Sequence, residues 1–241
     1  MKPQIIVPDF GRHNADLQAS AERLARQGSY KDHSTIIIIP ALDAVPTKVV
    51  ASWWNMLTPP NQKVFKLFTA NMEVGAAYSS TIEMILANEE LAKFKYILTM
   101  EHDNAPQADG LVKLLERIDA HSELSTIGGL YWTKGEGGVP QIWGNPKEAL
   151  NFKPQAPVPG ELVECCGTGM GFNLFRLDMF KDTRLRRPWF KTQCEIVPNK
   201  GAATYTQDLY FWEDARKYGY RCAIDCSVLV GHYDSQNDIM W

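Results

Sequence analysis

No run of apolar residues in this 241-residue chain approaches the roughly 20 that a membrane-spanning helix needs. The opening Met1-Lys2-Pro3-Gln4-Ile5-Ile6-Val7-Pro8-Asp9 lacks a secretory apolar core and carries an early acid, which predicts a soluble, cytoplasmic protein. Excess basic charge is missing too. The net charge is -3 with no long lysine or arginine run, so nucleic acid is not expected as the main partner, although a local basic patch stays open. Cysteine is scarce: Cys165, Cys166, Cys194, Cys222 and Cys226, an odd number with no Cys-x-x-Cys pair. That argues against a disulfide framework, and buried free thiols are expected in preference to a zinc site. Cys222 and Cys226 would share one face of a strand, because side chains alternate with period two. No repeat, low-complexity segment or linker-like shift in composition interrupts the chain, so one domain over residues 1–241 is expected.

What is present is a strong alternation of strand and helix signals. Hydrophobic residues make up 45% of the chain, enough for a sizeable core. A short strand is predicted at residues 4–8 and a helix from Asn14 to about Gln27, ended by Gly28. Ser34-Thr35-Ile36-Ile37-Ile38-Ile39-Pro40 reads as a buried strand, and Pro46 to Met56 as a helix with proline in its first turn. Val64 to Thr69 is a second strand. Ser80-Thr81-Ile82-Glu83 has the pattern of a capping box opening a helix, with Ile82, Ile85 and Leu86 on its apolar face. Phe94 to Met100 is a third strand. A helix opens at Asp109, with Leu111, Leu114, Leu115 and Ile118 at helical spacing, and Ser125 to Leu130 is a fourth strand. These units predict an α/β fold with a mostly parallel central sheet flanked by helices. Residues 132–165 are rich in glycine and proline and read as a long loop region. Phe172 to Phe175 is an apolar strand, Tyr205 to Tyr218 a helix with Thr206 as its cap, and Cys222 to Val230 a final strand ending at Gly231-His232.

The chemistry concentrates at strand ends. Tyr96-Ile97-Leu98-Thr99-Met100 runs into Glu101-His102-Asp103, two carboxylates flanking one residue. Ligands of open α/β sheets bind at the carboxyl ends of the strands, and paired carboxylates there suit Mg2+ or Mn2+ holding a substrate phosphate. Gly167-Thr168-Gly169 allows close backbone approach. Asp208 lies in the first turn of a helix, where an acid also simply complements the dipole. His232, at the end of an apolar strand, is well placed to join a carboxylate on a metal, though a lone histidine there also serves as a polar cap.

Taken in order, these segments resemble the glycosyltransferases of the GT-A fold, particularly the family-2-like enzymes of bacteria and phages. Gly128-Gly129-Leu130-Tyr131-Trp132 and Arg187-Pro188-Trp189-Phe190 resemble further segments of that family, and the likeness spans residues 34–233. It implies a nucleotide-binding half at residues 34–131, an acceptor half at residues 132–241 and an extension over residues 1–33. It also implies a divalent cation, Mn2+ or Mg2+, on Asp103 and His232, with Glu101 holding a ribose or a metal-bound water, and Asp208 as the acceptor base of an inverting reaction. A UDP- or GDP-sugar would lie over Pro40 and Ala41, near Asn71, Glu73 and His102. Trp132, Gly167, Thr168, Gly169 and Trp189 would line the side of an unidentified hydroxyl acceptor. Two motifs depart from the family: Glu101 stands where its metal motif has aspartate, and Gln207 where its base motif has glutamate. Two alternatives are a non-catalytic GT-A-like module and a sugar nucleotidyltransferase. The latter expects a glycine-rich basic loop after the first strand, where this chain has Pro40-Ala41-Leu42-Asp43-Ala44-Val45-Pro46.

Overall fold

The computed structural model describes residues 31–42, 44–197 and 201–241. The strand expected at residues 4–8 and the helix at residues 14–27 lie outside the described residues. Thr35–Ala41 forms β1, every residue of it buried. Its isoleucines divide between two cores. Ile36 and Ile38 pack with Tyr78, Ile82, Phe175 and Phe211 on one face, and Ile37 and Ile39 with Val49, Trp53, Leu111 and Leu115 on the other. A sheet covered on both faces needs no polar alternation, which is why this strand reads as one unbroken apolar run.

Helix α1, Thr47–Asn55, leads to β2, Val64–Ala70, which pairs parallel with β1. Helix α2 is Val74–Ala87, and β3, Tyr96–Met100, lies parallel to β1 on its other side. A three-residue strand β4, Asn104–Pro106, precedes α3, Gly110–Ala120, and β5, Thr126–Leu130. Between β3 and β5 sits β9, Phe172–Arg176, antiparallel to both. The central order is therefore β2-β1-β3-β9-β5-β12, with β12 spanning Cys222–Asp234 and running parallel to β5. All of these strands but β9 share one direction, so the sheet is mostly parallel. It also draws strands from both halves of the chain.

Several local expectations change. The predicted capping box at Ser80 lies inside α2, which starts six residues earlier and is capped by Glu73, whose carboxylate accepts from Ala76 N at 2.9 Å. The hydroxyls find other partners: Thr81 donates to the Ala77 carbonyl at 2.7 Å and Ser79 to that of Phe190 at 3.1 Å. An interior serine or threonine satisfied in this way does not start a helix. The region read as loop holds β6, Ile142–Trp143, and β7, Leu162–Cys165, and is followed by β8, Gly167–Thr168. A hairpin of β10, Gln193–Val197, and β11, Gly201–Tyr205, places Tyr205 in a strand, so α4 begins only at Gln207; it runs to Ala215, and a 3-10 turn, Arg216–Tyr218, carries the helical stretch to the expected end before Gly219. Four of the five cysteines are buried as expected, but Cys194 is exposed on β10. Cys165 and Cys222, paired across β7 and β12, bring their sulfurs to 3.8 Å.

His232 does not end its strand. β12 continues past it, pairing with β4 on one side and with β13, Ile239–Met240, on the other. A register shift between Asp225 and Leu229 separates the segment that pairs with most of β5 from the segment that pairs with β4.

Gly128 tests the packing between β5 and β9. A Cβ there would lie 1.9 Å from Asn173 Oδ1 and 2.7 Å from Ile224 Cδ1. Gly128→Ala is expected to lower unfolding stability by about 1–3 kcal/mol in urea titration. An unchanged midpoint would show that Asn173 moves aside freely.

Candidate active site

The acids meet at the carboxyl edge of the sheet. β3 ends at Met100, and Glu101-His102-Asp103 forms the turn into β4. The antiparallel pairing of β4 with β12 sets His232 opposite Asn104, and Tyr233 N donates to the Asp103 carbonyl at 2.7 Å. That pairing brings His232 Nε2 to 3.4 Å from Asp103 Oδ2. His232 Nδ1 lies 2.7 Å from the Trp132 carbonyl, which can only accept, so Nδ1 carries a proton whether or not Nε2 carries one too. Nε2 is thereby directed toward Asp103.

Lys134 completes the group, with Nζ 2.5 Å from the same Asp103 oxygen. Burial alone would raise the Asp103 pKa. Hydrogen bonds from His232 and Lys134, with their charge, overcome that and hold the carboxyl well below the usual carboxylate range. Glu101 behaves oppositely. Burial, then the charges of Asp103 and Asp208, push its pKa to about 8 against the opposing pull of Lys134. Asp208, in the first turn of α4, is also raised by burial, although hydrogen bonds from Thr206 and the Leu209 amide act against the rise. The two neighbouring carboxylates are thus driven apart, one ionised and one neutral near pH 7, with the charge of Asp208 adding to the rise at Glu101.

Tyr78 and Tyr131, neither of them expected from the sequence as site residues, border the acids. Burial and the charge of Glu101 hold both phenols protonated. Tyr131 accepts from Gly171 N at 2.8 Å. Gly169 is close beneath: a Cβ there would meet the Tyr131 hydroxyl at 2.3 Å and Gln141 Oε1 at 2.6 Å. Glycine at this position is a requirement of close packing, which its motif had suggested in general form.

The donor set suits a divalent ion as a pair, not as a triad. Asp103 offers a carboxylate, and His232 offers a nitrogen whose opposite ring position is anchored on a carbonyl, the usual outer support of a metal-bound imidazole. Among the described residues no group of three His, Cys, Asp or Glu is placed to hold an ion. Without an ion, burial and the two neighbouring acids raise the Glu101 pKa to about 8, and a bound cation would act in the opposite direction.

The remaining expected residues divide. Pro40 and Ala41 end β1 at this same edge, with Asn71 just beyond β2, its amide bonded to the Ala41 carbonyl at 3.1 Å. His102 stands partly exposed in the turn between the acids. Glu73, exposed just before α2, caps that helix and accepts from Thr192 Oγ1 at 2.8 Å. Trp132 lies beside the site through its carbonyl and through its bridge to Pro140. Gly167 and Thr168 are buried in β8, where Thr168 Oγ1 accepts from Trp212 Nε1 at 3.2 Å. Trp189 is not available to an acceptor. It is 1% exposed, edge-on to Phe180 inside the aromatic core and covered by Arg187. Its proline-tryptophan-phenylalanine context does not distinguish a binding face from a packing face.

The Glu101 carboxyl titrates at its ordinary 4.5 in the unfolded chain and at about 8 in the folded one. A carboxyl raised on folding contributes fully below the unfolded pKa and loses that contribution as pH rises through the folded one. In chelator-treated protein, the melting temperature of wild type minus that of Glu101→Gln should therefore fall between about pH 4.5 and about pH 8, then level off. A difference independent of pH would show that Glu101 titrates normally.

No protein-family model matches this chain, and no curated protein does. Among solved structures, the crystal structure of A197 from STIV is similar, with a TM-score of 0.58 at 15% sequence identity over 86% of this chain and 92% of that one. At this identity the likeness shows the α/β fold and leaves the chemistry to the residues of the site. No helix among the described residues is long and apolar enough to cross a membrane.

Proposed function

We propose that this protein is a glycosyltransferase that moves a sugar from a UDP- or GDP-sugar to an acceptor hydroxyl, in the cytoplasm and with inversion. The observation that supports this most is the meeting of Asp103 and His232 at the carboxyl edge of one mostly parallel sheet, with Glu101 feeling the charge of both Asp103 and buried Asp208. The edge formed by Pro40, Ala41 and Asn71 is the natural seat for the nucleotide, since ligands of such sheets bind at the strand ends. His102, partly exposed between the acids, would face the same ligand.

Asp103 and His232 would hold a Mn2+ or Mg2+ ion together with the donor diphosphate. Such an ion supplies charge stabilisation to the leaving diphosphate. The chain's own residues do the rest. Asp208 takes the acceptor's proton as its oxygen forms a bond to the anomeric carbon. The bond from that carbon to the diphosphate breaks, and the diphosphate leaves with the electron pair. A buried carboxylate of raised pKa is a stronger base than an exposed one, which suits this role. Glu101 would hold the ribose or a metal-bound water, and the Tyr131 phenol can donate a hydrogen bond to a donor oxygen without adding negative charge beside the phosphates. On the acceptor side Trp132 retains a partly exposed face, while Gly167, Thr168 and Gly169 are buried and would shape the site only from beneath.

Calorimetric titration with UDP and with GDP, each with and without Mn2+, tests the donor site. Metal-dependent binding of one nucleotide is expected, and binding of neither would sink the reading. Asp208→Asn should then reduce sugar transfer at least about a hundredfold while leaving nucleotide affinity within about twofold. Transfer at wild-type rate would remove Asp208 from the mechanism, and a retained anomeric configuration by NMR would do the same.

A further inference from the structure

Lys134 stands on a short flap between β5 and β6. Thr133 N donates to the Val139 carbonyl at 2.9 Å, and Val139 N to Thr133 Oγ1 at 2.9 Å. Trp132 and Pro140 form a bridge at the base. The turn uses Gly135 at φ 98° and Gly137 at φ 76°, and a Cβ at either position would meet nothing within 4 Å. The tip thus stands clear of the body of the protein. Lys134 reaches back from it to Asp103 Oδ2, the oxygen that also faces His232 Nε2.

A lysine ammonium is a compact charge on a flexible stem, and this one remains about a third exposed, with 34% of the side chain accessible. It can move into water with little loss of hydration. A divalent ion on Asp103 and His232 would need the same oxygen and would repel the ammonium at contact distance. The carboxylate cannot serve both cations well.

We propose that Lys134 is a displaceable counter-ion: its ammonium holds the Asp103 carboxylate in the unloaded protein, and a divalent cation binds by exchanging with it. The inference rests on the metal site proposed above and adds to it a competitor built into the chain. The ammonium neutralises Asp103 in the unloaded protein, whereas the bare divalent ion would leave an excess positive charge that the donor diphosphate offsets. Exchange also weakens binding of the bare metal, so that strong retention of the ion awaits the diphosphate, which brings further oxygen ligands of opposite charge.

Titration with Mn2+ alone, followed by calorimetry or by the loss of the free-ion EPR signal, tests the exchange in wild type, Lys134→Ala, Lys134→Met, Lys134→Arg and Asp103→Asn. Removing the competing charge should tighten Mn2+ binding about fivefold in both Lys134→Ala and Lys134→Met, the methionine preserving most of the stem. Lys134→Arg should stay near wild type, and Asp103→Asn should lose binding. Equal or weaker binding in the alanine and methionine variants, with wild type still binding, overturns the exchange and leaves the proposed function standing. Absence of Mn2+ binding in every protein, wild type included, removes the metal site itself and the exchange with it.

Discussion

The antiparallel ladder between β4 and β12 is the contact on which the site depends. Asp103 lies in the turn that opens β4, and His232 lies more than a hundred residues later in β12, so only this pairing makes them neighbours. The ladder is short, with three residue pairs, but the Tyr233 amide on the Asp103 carbonyl extends it, and two backbone bonds between His232 and Trp241 brace the other edge of β12. The backbone thereby sets the separation of carboxylate and imidazole, and each side chain has few remaining torsions with which to lose it.

Around that ladder the electrostatics sort the acids by their neighbours. Asp103 has two basic partners and is held ionised; Glu101 has two acidic ones and is held protonated near neutrality. Chemically alike groups two residues apart thus acquire opposite states, one suited to binding cations and the other to donating a hydrogen bond. Gln207 in place of a second acid beside Asp208 keeps further negative charge away from the same edge.

Much of the fold was legible because the two-faced sheet writes its strands as continuous apolar runs. β1, β3 and β5 could be read this way, and the amphipathic spacing of α3 was equally plain. Asp103 was legible as a candidate because it stands just past an apolar run, Asp208 as an acid in the first turn of a helix, and His232 as a histidine after the apolar part of β12, although that strand continues past it. Other features depend on tertiary contacts that no local pattern carries. Ser80 and Thr81 look like a helix start until the partners of the neighbouring hydroxyls are known. Trp189 looks like a platform for sugar until Phe180 and Arg187 are found covering it. Lys134 gives no sequence signal beyond a lysine in a glycine-rich turn, and its importance comes only from where the flap points it. The resemblance to GT-A glycosyltransferases remains the source of the assigned roles, while the geometry supplies distances and charge states compatible with them.

The antiparallel β9 has a consequence for how the molecule is assembled. β3 and β5 both belong to the first half of the chain, yet they touch β9 and not each other. Until residue 176 has been synthesised, the first half carries two apolar strands with unpaired inner edges. Closing the sheet also requires contacts between distant parts of the chain, which are slow to form. Since β12 comes later still, the carboxylates at the strand ends acquire their histidine only when β12 docks, so one docking event adds a strand to the sheet and the imidazole to the acids.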